Sequence, residues 1–117
     1  MQHAVTRHMM GLSTHVLDIA AGRPAEGVTV RLEAFDGGGW RPMGSGQTDA
    51  DGRITDLLGD QPLERGEYRL TFEVAPYLGP ESFYPEVAVV FRVDDPGEHH
   101  HVPLLLGPYG YTTYRGS

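Results

Sequence analysis

The chain has 117 residues, enough for one domain with a single core and little room for a second. Its formal net charge is -7 at pH 7, which argues against tracking a phosphate backbone, because nucleic-acid binders need a basic patch. It has no cysteine, so disulfides and thiolate chemistry are excluded.

All nine basic residues are arginine, which is read as codon bias. Sixteen glycines and nine prolines suit many short strands joined by turns. The first ten residues, MQHAVTRHMM, show no clear periodicity and lack the long apolar core of a secretory signal. They read as a flexible leader, with residues 11–117 forming a single domain. No run approaches the ~20 apolar residues needed to span a bilayer. The expectation is a cytoplasmic protein with no membrane or nucleic-acid partner.

The first strand is predicted over Leu12–Ile19, LSTHVLDI. Alternation puts Thr14 and Val16 on one face, and Ser13, His15, Leu17 and Ile19 on the other. Both faces are partly apolar, which suits a strand with a core on one side and a cover on the other, such as a second subunit. Ala20–Gly27 is a turn punctuated by Gly22 and Pro24. Val28–Phe35 is the cleanest strand, with Val28, Val30, Leu32 and Ala34 inward. Asp36–Gly39 is a hairpin loop, and Trp40–Thr48 is a weaker strand that Pro42 assigns to a sheet edge.

Asp49–Gly52, DADG, is an acidic turn. It lacks the further ligands and the closing glutamate of a twelve-residue calcium loop, so it is read as a plain turn. Arg53 opens a short strand predicted to run to Leu58. Gly66–Val74 alternates cleanly, with Tyr68, Leu70, Phe72 and Val74 on one face. Ala75–Tyr84 has room for one helical turn. Val87–Val93, VAVVFRV, is nearly all apolar and is placed centrally, covered on both sides. Glu98–Leu106 and Tyr111–Arg115 are the last two strands. About eight short strands at spacings of roughly 8–12 residues predict an all-β sandwich.

Chemistry concentrates near the end, in HHHVPLLLGPYGYTTYRGS. If His100, Val102, Leu104 and Leu106 enter the core, His101 stands on the opposite face, and Thr112 and Tyr114 share a face one strand later. Grouped with His15, these residues would line a pocket rather than a solvent surface. Duller readings stay open for each. His15 alone suits a hydrogen-bonded surface histidine. His99 and His101 have the alternating spacing of a metal pair but lack a third fixed ligand. Arg53 suits a strand-end charge, and the tyrosines suit a core or an interface. Ser13, Ser45, Ser82 and Ser117 are possible nucleophiles, but no G-x-S-x-G elbow is present. Two imidazoles, a guanidinium and a phenol favour hydrolysis by activated water, without metal ion or cofactor.

These segments resemble the 5-hydroxyisourate hydrolases, the transthyretin-like enzymes of urate breakdown. The resemblance is carried by LSTHVLD, GRPAEGVTVRLE, DADGR, ESFYPEV and HVPLLLGPYGYTTYRGS, and spans about residues 11 to 117. The terminal YRGS is its most specific piece, separating the enzymes from the hormone carrier. The resemblance implies a transthyretin-like (prealbumin-like) sandwich of two four-stranded sheets with one short helix. It also implies a homotetramer whose active sites lie where dimers meet, and a small-molecule substrate, 5-hydroxyisourate. It assigns His15, Arg53 and His101 as catalytic residues, and His15, Arg53, Tyr114 and Ser117 as substrate-binding residues. Family members usually carry Asn where Asp49 stands, and His99 and His100 add imidazoles before the catalytic one. Two other readings are a small-aromatic-ligand carrier on the same fold, and a metal-dependent protein using His99 and His101.

Overall fold

A computed structural model describes residues 11–117; the leader read over the first ten residues lies outside them. Strand β1 is Leu12–Asp18, β2 Arg23–Pro24, β3 Thr29–Phe35, β4 Trp40–Gln47, β5 Arg53–Ile54 and β6 Gly66–Glu73. A short helix α1, Ala75–Leu78, precedes β7 (Glu86–Val93), β8 (His100–Leu106) and β9 (Tyr111–Thr113). The strands form two sheets. One has the order β4-β3-β6-β7 and is antiparallel throughout. The other has the order β2-β1-β8-β9, with the two-residue β5 also paired to β1. The central pair β1 and β8 is parallel.

The period-two patterning of β3 and β6 puts Val30, Leu32, Leu70 and Phe72 in the core, each 0% exposed. The facing sheet contributes Val16, Leu104 and Leu106 from β1 and β8. Full burial of each such side chain stabilises the fold by about 1.5–3 kcal/mol, which makes the alternation decisive for register. His100 follows the same rule: it is buried with Val102, and its Nδ1 lies 2.9 Å from the Glu98 carbonyl oxygen. At the end of β1, the buried Asp18 accepts from the Tyr77 hydroxyl at 2.7 Å and from the Ala21 amide at 2.8 Å, tying the strand end to α1. Burial alone would raise the Asp18 pKa, but these donors, the Ala20 amide and Arg23 outweigh it and leave it below the ordinary carboxylate value.

Three expectations need correction. β7 is not central: among the described residues it pairs only with β6 and forms a sheet edge, with Val87 and Val93 inward and Ala88, Val90 and Arg92 outward. Two of the outward positions, Ala88 and Val90, are apolar, so the middle of the strand mimics one buried on both sides. β5 stops at Ile54 and pairs with β1 at the Thr14 and His15 positions. Leu57 and Leu58 are buried instead from a loop, together with Leu63. The turn after β1 contains the short strand β2, which pairs Leu17 with Pro24 and Asp18 with Arg23. The edge position expected for β4 is observed, with a register shift next to Pro42.

Candidate active site

Three neighbouring strands bring the chemistry together. In the ladder, His15 of β1 lies opposite Arg53 of β5, and Ser13 of β1 lies opposite His101 of β8. On the core-facing side of the same strands, the buried Thr14 hydroxyl donates to the Val102 carbonyl at 2.6 Å, which fixes β1 against β8. Because side chains alternate, Ser13, His15 and His101 then share the outer face. The His15 and His101 rings have centroids 6.5 Å apart and are tilted by 39°.

The acidic turn aims Arg53. Asp49 Oδ1 accepts from the amides of Asp51 and Arg53, each at 2.9 Å. Gly52 lies at φ +76°, and its carbonyl accepts from the Val16 amide at 2.7 Å. A Cβ at Gly52 would stand 2.4 Å from the Val16 carbonyl oxygen, so only glycine lets the turn dock this closely on β1. Asp49 of the acidic turn therefore acts on the backbone, as side-chain-to-amide turns do.

The chain end closes the same region. After β9, Gly116 rejoins β8, donating its amide to the His101 carbonyl at 2.9 Å. Arg115 donates to Glu98 at 3.0 Å in an exposed ion pair. A cleft of about 410 Å³ is bounded by Ser13, Arg53, Thr55, His99, His101 and Ser117. Tyr114 is 54% exposed and lies elsewhere. It lines a neighbouring recess with Val89, Phe91, His100 and Val102, which His101 also borders. His15, Arg53, His101 and Ser117 are thus brought to one region, and Tyr114 stands on the far side of His101.

Ser13 occupies a position that reading the sequence gave no special weight beyond possible nucleophile. It is buried, and its Oγ lies 2.8 Å from His99 Nε2 and 2.8 Å from His101 Nδ1. Alternation already placed Ser13 beside His15; the parallel register that sets it opposite His101 has no local signal. Among the described residues, no group of three histidine or acidic side chains is arranged to hold one metal ion.

The electrostatics favour a neutral His101. Burial lowers its pKa first, and the cationic forms of His15 and His99 and the Arg53 guanidinium lower it further, against a smaller raising contribution from Ser13. An imidazole held below the ordinary value of 6.5 is unprotonated at neutral pH and can accept a proton. Arg53 stays charged, available to a developing anion.

Comparison with known proteins follows the same lines. The sequence profile described as the HIUase/Transthyretin family matches residues 12–116. A Salmonella dublin protein named 5-hydroxyisourate hydrolase is 45% identical over 109 residues, which is 91% of this chain and 80% of that one. The solved structure of Klebsiella pneumoniae 5-hydroxyisourate hydrolase superposes with a TM-score of 0.80 at 40% identity, covering 92% of this chain and 99% of that one. Sea bream transthyretin, solved in complex with thyroxine, superposes with a TM-score of 0.83 at 33% identity over 91% and 94% of the two chains.

Proposed function

The chain belongs to the HIUase/Transthyretin family, and we propose that it is a hydrolase that opens the ring of 5-hydroxyisourate with water. The product of this reading is 2-oxo-4-hydroxy-4-carboxy-5-ureidoimidazoline. Fold similarity alone does not choose between enzyme and carrier, because both kinds of relative superpose well. The observation that carries the choice is the meeting of His15, Arg53 and His101 on adjacent strands of one sheet face. A carrier of an aromatic ligand has no need of two imidazoles beside a guanidinium.

In this reading a neutral imidazole takes a proton from the water that attacks the ring carbonyl. We assign that base to His101, on the strength of its lowered pKa. Arg53 holds the oxyanion that develops, a role suited to a permanent charge on a turn braced against β1. His15 orients the water or passes a proton to the departing ring nitrogen. Ser117 bounds the substrate from the cleft; Tyr114, which the family resemblance assigns to substrate binding, borders the separate recess on the other side of His101.

The same reading takes residues 11–117 as one domain, in a cytoplasmic homotetramer with its active sites between dimers. The β7 edge, unpaired among the described residues and with Val90 55% exposed, supports association of copies. Identifying the product tests the assignment of the reaction. Run in isotopically labelled water, the reaction should yield a ring-opened carboxylate that is one water heavier and carries the label. An unlabelled product or an unopened ring would reject it.

A further inference from the structure

Two histidines flank a single hydroxyl that has one proton to give. Ser13 is 5% exposed, so its Oγ finds its partners in the protein: His99 Nε2 and His101 Nδ1, each at 2.8 Å. A hydroxyl donates once and accepts from others. The two rings are therefore not independent. When Ser13 donates to His99, His101 must donate its own Nδ1–H to Ser13, and its Nε2 is left with a free lone pair. When Ser13 donates to His101, Nδ1 is the acceptor and the proton sits on Nε2, where the ring cannot act as a base.

We propose that His99, acting through Ser13, is a positioning residue that sets the tautomer of His101 and shares the proton His101 gains. This rests on the reading of His101 as the base. Water loses a proton to His101 Nε2 as its oxygen attacks the carbonyl. His101 passes its Nδ1 proton to Ser13 Oγ, and Ser13 passes its own proton to His99 Nε2. One proton has been gained, and the positive charge has moved from His101 to His99. The reverse shift restores His101 as the cation when the ring nitrogen needs a proton. His101 is a poor place to leave charge, because the His15 ring is 6.5 Å away and Arg53 lies on the same cleft. Burial of Ser13 keeps solvent from replacing the hydroxyl in the chain. The arrangement is the usual way in which the partner of one ring nitrogen fixes the chemistry of the other.

The test uses full-length protein and three variants: Ser13→Ala, His99→Phe and Ser13→Thr. Nitrogen-15 spectra of labelled histidine, recorded without substrate, read the tautomer of His101. The expected result is a single Nδ1–H form in the wild type, retained in Ser13→Thr and replaced by a mixture in the other two. Steady-state kinetics should show kcat lowered by about 10- to 100-fold in Ser13→Ala and His99→Phe, at or below the low end of what a positioned proton-transfer group supplies. KM should change little, and Ser13→Thr should recover most of the rate. Folded Ser13→Ala and His99→Phe proteins that keep the wild-type tautomer overturn the proposal, whatever their rates. A wild type whose single tautomer is lost in Ser13→Ala and His99→Phe, but which does not turn over 5-hydroxyisourate, upholds the hydrogen-bonded chain and removes the substrate reading instead.

Discussion

Arg53 carries its charge on an exposed side chain at the end of a two-residue strand, so its contribution to stability is small and its contribution to the site is specific. Arg53→Glu should shift thermal stability little, about 0.5 kcal/mol or less. It should cost at least about 100-fold in kcat, the loss expected when a donor to a developing oxyanion is removed. A melting curve and a progress curve on the same sample check both halves. The pH profile belongs to His101. Its lowered pKa means the folded state binds this proton more weakly than the unfolded chain does, so acidification below 6.5 costs both stability and active base. The acidic limb of kcat/KM should therefore have its midpoint below 6.5, and in Arg53→Glu the His101 titration followed by NMR should move upward, because one cationic neighbour is removed. At this scale much of the site is legible in the chain itself. The alternation in LSTHVLD separates Ser13 and His15 from the core set, and the alternation in HHHVPLLL sends His100 inward and His101 outward. The hydrogen bonds of Ser13 are not legible, because they depend on a register between residues 88 positions apart.

The tail after β9 acts as an element although little of it is strand. Gly116 is pressed against the His101 ring: a Cβ there would come within 2.5 Å of Cδ2. The ring is also tied to Ser13, so it cannot yield without losing that bond. Gly116→Ala should displace His101 and lower kcat by about 10-fold or more, with the fold intact by circular dichroism. Deleting residues 115–117 should cripple turnover while leaving stability nearly unchanged, since the Arg115–Glu98 pair is exposed and worth about 1 kcal/mol at most. A fully active truncation would show that the tail does not build the site. The strands differ in how plainly their sequences declare them. β3 and β6 are clear because one face is buried and the other is charged or polar. β7 misleads because its outward residues include Ala88 and Val90, whose exposure in one chain only the sheet order reveals. Leu57 and Leu58 mislead because a loop buries them as fully as a strand would.

The molecule as a whole leaves apolar side chains at its margins. Val90 on the β7 edge, Phe83 and Tyr84 after α1, and Tyr111 of β9 are all exposed, and Tyr84 packs edge-on against both Phe83 and Tyr111. Such a surface suits further copies of the chain better than water. Light scattering should give four times the 12.8 kDa mass of one chain. A fully active monomer would contradict the placement of the sites between dimers.

The central claim is that His15, Arg53 and His101 act as one hydrolytic site on 5-hydroxyisourate. Its most direct measurement is the decay of ultraviolet absorbance of 5-hydroxyisourate generated in situ from urate. Wild-type protein should accelerate the decay in proportion to its concentration, and Arg53→Glu at the same concentration should leave it near the spontaneous rate. Decay at the spontaneous rate with wild-type protein, or equal acceleration by both proteins, would contradict the account.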